Sequence, residues 1–111
     1  MILEDDGLLS LMLEDLAREQ GATTIHACRD PEEALRLASA GSIDYAVLDV
    51  WLHGRVTYDV ADALAARDIP FLFCTGLTSA DIAARHRHRP LLQKPYGDAD
   101  FKAVLAVTLN R

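Results

Sequence analysis

Short apolar runs alternate with longer amphipathic stretches along this chain, and that alternation sets the elements to expect. Met1-Ile2-Leu3 is an apolar run that stops at Glu4-Asp5-Asp6, which predicts a short first strand. From Gly7 to Gln20, Leu8, Leu9, Met12, Leu13 and Leu16 recur at helical spacing and Gly21 closes the stretch. Thr23 to Ala27 is short and β-branched, a second strand. Asp30-Pro31-Glu32-Glu33 reads as a helix start, with Asp30 as N-cap, Pro31 at the first helical position and Glu33 where a capping box places its acid. Ala34, Leu35, Leu37 and Ala38 form its apolar face and Gly41 ends it. Tyr45 to Leu48 is continuously apolar and runs into Asp49, the pattern of a strand covered on both faces. A loop with Gly54 follows, then a helix carrying Val60, Ala61, Ala63, Leu64 and Ala65. Pro70 to Cys74 predicts a fourth strand, broken at Thr75-Gly76, and Ser79 to His88 a weaker helix with little beyond Ile82 to bury. Leu91-Leu92-Gln93 is a short fifth strand ended by Lys94-Pro95. Asp98 then caps a last helix with Phe101, Val104, Leu105 and Leu109 on one side.

Strand and helix thus alternate five times, which implies an α/β fold: a parallel sheet with helices on both faces, because right-handed crossovers place them there. The 111 residues suit one domain, 1–111, and half of them are apolar, enough for a single core. No apolar stretch approaches the ~20 residues of a membrane-spanning helix, and no secretory leader opens the chain. Cys28 and Cys74 stand far apart in no metal-binding spacing, so a reduced, cytoplasmic chain is expected. Seventeen acids against eleven Lys and Arg give a formal charge of −6, which disfavours nucleic acid and anionic membrane as partners. The one dense basic run, Arg85-His86-Arg87-His88-Arg89, reads first as a solvated helix end and loop and second as a docking surface.

In an open parallel sheet, ligands bind beyond the carboxyl ends of the strands. The polar residues there are Glu4, Asp5 and Asp6 after the first strand, Asp49 after the third, Thr75-Gly76 after the fourth and Lys94-Pro95 after the fifth. Crowded carboxylates repel unless a cation joins them, and hard oxygen ligands suit Mg²⁺. A metal, a hydroxyl and an ammonium around one remaining carboxylate are what phosphoryl transfer requires. Taken singly, each residue has a plainer role as helix cap, turn residue or solvated lysine. Their joint occurrence at four strand ends favours function.

Glu4-Asp5, Asp49, Thr75 and Lys94-Pro95, in this order and on these elements, resemble the receiver domain of two-component response regulators over essentially the whole chain. The resemblance implies a flavodoxin-like (CheY-like) three-layer sandwich with strand order 2-1-3-4-5. It implies that Asp49 is the phosphoacceptor, that Asp5 and Asp49 bind Mg²⁺ directly, that Trp51 adds its backbone carbonyl and that Glu4 acts through water. Lys94 would pair with the phosphoryl group, Thr75 would turn inward to hold it, and the Lys94–Pro95 bond would often be cis. The partners implied are a histidine kinase or histidine phosphotransfer protein upstream and a protein target downstream. Such a domain is a signalling phosphoacceptor that assists its own phosphotransfer rather than an enzyme. Phe73-Cys74-Thr75-Gly76 is also similar to the F-A-T-G-x-Y signature of stand-alone receivers, with Cys74 in place of the alanine and Thr78 in place of the tyrosine. That similarity suggests a phosphorelay shuttle, a phosphate sink or a protein-binding switch.

Three departures stand out. Leu91 occupies the place of the family's switch aromatic, with Tyr96 as the candidate substitute, so Thr75, Gly76 and the weak Ser79–His88 segment are expected to carry the change. Trp51 and Leu77 stand where polar side chains orient attacking water in the family, so slow loss of phosphate is expected. The alternative is a receiver that binds partners without being phosphorylated. A haloacid-dehalogenase-type phosphatase would need a second acid where Trp51 stands, a flavodoxin's phosphate would be repelled by three acids, and no glycine-rich dinucleotide fingerprint is present.

Overall fold

Asp6, Asp30 and Thr57 stand at the starts of the first three helices, and the apolar runs between them assemble into one sheet. A computed structural model describes residues 1–110. The elements in chain order are β1 (Ile2–Leu3), α1 (Gly7–Glu19), β2 (Ala27–Cys28), α2 (Pro31–Ala40), β3 (Ala46–Leu48), β4 (Trp51–Leu52), β5 (Arg55–Val56), α3 (Tyr58–Ala66), β6 (Phe71–Thr75), β7 (Leu91–Gln93) and α4 (Asp98–Thr108). The five-stranded sheet has the order β2-β1-β3-β6-β7 and every pairing in it is parallel. Counting only those five strands, this is the expected 2-1-3-4-5 order.

Period-two alternation divides the core. Ile2, Val47, Leu72, Cys74 and Leu92 pack with Leu13, Leu16, Phe101 and Leu105 of α1 and α4. Leu3, Leu48, Phe71 and Phe73 pack with Ala34, Ala38, Val60 and Leu64 of α2 and α3 on the other face. The result is the expected three-layer sandwich. No helix among the described residues is long and apolar enough to cross a membrane.

The structure corrects several boundaries. The second strand is Ala27–Cys28 rather than Thr23–Ala27, since only those two residues pair with β1. On α1, Leu13, Leu16 and Ala17 are buried, whereas Leu8, Leu11 and Met12 face outward. The expected apolar stripe therefore serves the core with only part of its width. The loop holding Gly54 is a tight antiparallel hairpin, β4-β5, whose two turn residues His53 and Gly54 both have positive φ (51° and 75°). That backbone matches the right-handed twist of the flanking strands, and glycine adopts it without a Cβ penalty. Gly97, not Asp98, is the N-cap of α4.

The largest difference lies between β6 and β7. No α-helix forms over Ser79–His88, which instead makes two 3₁₀ turns, Ser79–Asp81 and Ala84–His86. From Thr78 to Arg89 only Ile82 and His86 are buried, too few and too irregularly spaced for an amphipathic helix. Among the described residues, four α-helices, not five, flank the sheet.

Candidate functional site

The backbone ladder places the site. Glu4 N–H donates to Cys28 O at 3.1 Å and Asp49 N–H to Leu3 O at 3.0 Å, so the two acids leave adjacent strands side by side. Lys94 N–H donates to Thr75 O at 2.8 Å, which brings the lysine to the same edge from the far side of β6. The Lys94–Pro95 peptide is cis, as the resemblance implied. One carboxylate oxygen from each of Glu4, Asp5 and Asp49 lies within 4.8 Å of the others.

Lys94 bridges this cluster. Its Nζ donates to Asp49 Oδ2 at 3.0 Å and to Glu4 Oε2 at 3.2 Å. Glu4 is almost wholly buried and Asp49 largely so, whereas Asp5 is exposed. Burial first, and then the neighbouring Asp49, raise the Glu4 carboxyl to about 7, against the opposing pull of Lys94. For Lys94, burial favours the neutral amine, but the hydrogen bond and charge of Asp49, joined by Glu4, outweigh it and hold the ammonium above its usual pKa.

Three carboxylates facing one ammonium leave an excess of negative charge among oxygen donors of one type. That donor set fits a hard divalent cation such as Mg²⁺. Glu4, Asp5 and Asp49 would hold it, and the chemistry it would supply is neutralisation of charge on a transferring phosphoryl group.

Thr75 ends β6, between the strand ends that carry Asp49 and Lys94. It is buried, and its Oγ1 accepts a long 3.3 Å hydrogen bond from Leu77 N–H. Trp51 begins the hairpin. Its N–H donates to Asp49 Oδ1 at 3.3 Å and its indole is half exposed. Asp6 is not part of the cluster, because its side chain caps α1 by accepting from Leu8 and Leu9 N–H. Leu91 is partly buried at the head of β7. Tyr96 packs with the α1/α4 side of the core, where burial and the neighbouring Cys74 thiol push its hydroxyl pKa up.

One participant was not expected from the sequence. Thr57 stands at the N-cap position of α3 but makes no side-chain capping bond. Its hydroxyl donates instead to the backbone carbonyl of Asp49 at 2.6 Å, fully buried. A threonine before a helix reads as an ordinary cap, and nothing in its spacing distinguishes this use.

The doubly wound parallel sheet, with its acid cluster and lysine beyond the carboxyl ends of the strands, defines a CheY-like receiver architecture. No protein-family model matches the chain. The solution structure of SdrG from Sphingomonas melonis Fr1 is 41% identical, with a TM-score of 0.84, over 97% of this chain and 92% of that one. The chain belongs to the response-regulator receiver family. The response regulator PhyR from Brucella abortus is 25% identical with a TM-score of 0.82, over 99% of this chain and 46% of that one. The transcriptional regulatory protein PdtaR of Mycobacterium tuberculosis is 27% identical over 115 residues, covering 100% of this chain and 56% of that protein. The chain thus spans about half the length of the curated relatives it matches.

Proposed function

We propose that Asp49 accepts a phosphoryl group from a histidine kinase or histidine phosphotransfer protein, and that the modified domain switches a surface read by a downstream protein. In the transfer, the bond from phosphorus to the donor imidazole nitrogen breaks as a bond to an Asp49 carboxylate oxygen forms. The electron pair stays on the imidazole. Lys94, already 3.0 Å from Asp49, would follow the charge onto a phosphoryl oxygen, and Thr75 would donate its hydroxyl to another. Glu4, Asp5 and Asp49, with the Trp51 carbonyl, would complete the Mg²⁺ site. Thr75, Gly76 and the loosely packed segment after them would carry the change outward. Neither nucleic acid nor membrane is proposed as a partner, given the acidic charge.

The observation that carries this reading is the convergence of three carboxylates with one lysine at the carboxyl end of the sheet. SdrG, with its 40–41% identity, also has a beryllofluoride-activated conformation, which supports the same chemistry here. The test is labelling with acetyl phosphate, followed by intact mass. A single phosphate's gain in mass with Mg²⁺, absent from Asp49→Ala and without Mg²⁺, is the expected result. A folded, Mg²⁺-binding wild type that gains nothing from acetyl phosphate or from a kinase would point to a phosphorylation-independent interaction module.

A further inference from the structure

Between β6 and β7 the chain has two halves held in different ways. In the first half, the long bond from Leu77 N–H to Thr75 Oγ1 reaches toward the site. Beyond it the polar contacts are local: Thr78 N–H and Oγ1 both donate to Asp81 Oδ2, at 3.1 and 2.9 Å, and Ser79, Ala80 and Asp81 are exposed. Little in this half ties it to another element except Ile82, which enters the core, and the partly buried Leu77.

The second half is fastened to α3. Asp62 accepts from Arg85 Nε and from its terminal nitrogen, both at 2.9 Å, and from His86 Nε2 at 2.6 Å. Arg85 holds the Asp62 carboxyl below the usual range, so the acid is ionised and strongly accepting. One helical turn earlier, the Tyr58 hydroxyl accepts from Ala83 N–H at 3.0 Å. The His86 ring is buried, stacked on Tyr58 with centroids 5.8 Å apart and edge-on to Phe71 and Phe73. With Nε2 donating to Asp62, its Nδ1 finds no partner among the described residues, so the ring is kept there by packing and by Asp62 alone. The Arg87 guanidinium folds back on Ile82 O at 3.0 Å, and that of Arg89 lies over Phe71 at 4.4 Å. Four of the five residues of the basic run thus make contacts within the chain, although Arg85, Arg87 and His88 remain exposed.

The anchor is itself tied to the phosphoacceptor's strand. Tyr58 follows Thr57, whose hydroxyl grips the Asp49 carbonyl, so α3 and the end of β3 form one frame.

We propose that α3, through Asp62 and Tyr58, anchors Ala83–Arg89 to that frame and confines the phosphorylation-dependent rearrangement to Gly76–Ile82. This rests on the receiver reading above. When Thr75 turns its hydroxyl to a phosphoryl oxygen, the bond to Leu77 N–H is given up and the first half is released. The second half stays, because its contacts are with α3 and not with Thr75. Asp62 is thus a positioning residue that sets where the switching surface ends.

The test is hydrogen exchange on the whole chain with Mg²⁺, with and without beryllofluoride, in wild type and Asp62→Asn. Fluorine NMR of bound beryllofluoride serves as the independent check of the site. In wild type, beryllofluoride is expected to change exchange over 76–82 and leave 84–89 within about twofold. In Asp62→Asn, 84–89 should exchange about five- to tenfold faster even without the mimic, with β6 unaffected, and the mimic's effect should spread through Arg89. Tyr58→Phe, which removes only the acceptor for Ala83, should show the weaker form of the same spread should Asp62→Asn fail to fold. A wild-type response spread evenly over 77–89, or variants with an unchanged pattern, would overturn the confinement while leaving the receiver reading intact. Absence of a bound fluorine signal would overturn both.

Discussion

Lys94 Nζ lies 3.0 Å from Asp49 Oδ2, so the ammonium proposed to meet a phosphoryl group already neutralises the proposed acceptor. Without it, Glu4 and Asp49 would face each other at adjacent strand ends with no internal counter-charge. Lys94→Gln is therefore expected to lower stability in Mg²⁺-free buffer by about 1–3 kcal/mol, the cost of leaving buried acids unpaired. Added Mg²⁺ should recover much of the loss. Chemical denaturation of both proteins with and without Mg²⁺ reads this directly, and an unchanged midpoint would contradict it.

Glu4 gives the stability a pH slope of unusual sign for an acid. Its folded-state pKa of about 7 lies above the ordinary carboxylate value, chiefly through burial. Below about pH 4.5 the group is protonated in both states and contributes nothing. Between there and about 7 the folded chain retains a proton that the unfolded chain has released, so stability falls as pH rises and then levels off. The total is on the order of 1–3 kcal/mol. Urea titrations across that window without Mg²⁺ should show the fall, and Glu4→Gln should remove it.

Thr57→Val keeps the side chain's shape and deletes the hydroxyl that binds the Asp49 carbonyl. A loss of about 1–2 kcal/mol is expected, because the carbonyl stays buried without this donor. The same variant should weaken the frame between β3 and α3, and amides of the first turn of α3 should exchange faster. A substitution that is silent in both measurements would remove Thr57 from the site.

Trp51 and Leu77 are large and mostly apolar, without the carboxylate or amide that would orient an attacking water. The phosphorylated domain is expected to lose its phosphate slowly, and Trp51→Asn to shorten the lifetime by about tenfold, roughly 1.4 kcal/mol in barrier. Time-resolved intact mass after removal of the donor measures both. A lifetime of seconds that is unchanged in the variant would show that Trp51 only packs against the loop.

The parallel sheet, its two covered faces and the residues at its carboxyl end were legible because each rests on a local signal, whereas the strand order came only from the resemblance to receivers. Tyr45–Asp49 and Pro70–Thr75 are apolar runs ended by a polar residue, and Asp30-Pro31 marks a helix start from four neighbouring positions. What escaped depends on distant partners. The outward turn of Leu8 and Met12 depends on where the sheet meets α1, and periodicity alone gives a face without saying how wide it is. The two 3₁₀ turns after β6 carried too little apolar pattern to specify any element. Their shape depends instead on Asp62, Tyr58 and His86, which are 20 or more positions apart between helix and strap. Thr57 gave no signal of its own, because a hydroxyl before a helix can cap it or bind elsewhere, and only the fold decides between these uses.

The strands at the borders of the sheet are very short: β2 has two residues and β7 has three. An exposed strand border is a template for pairing with other chains, and its reach scales with the number of unpaired backbone groups in register. Two or three residues offer too few to hold a second chain alongside. The borders of the sheet therefore give little footing for border-to-border association between copies of this domain.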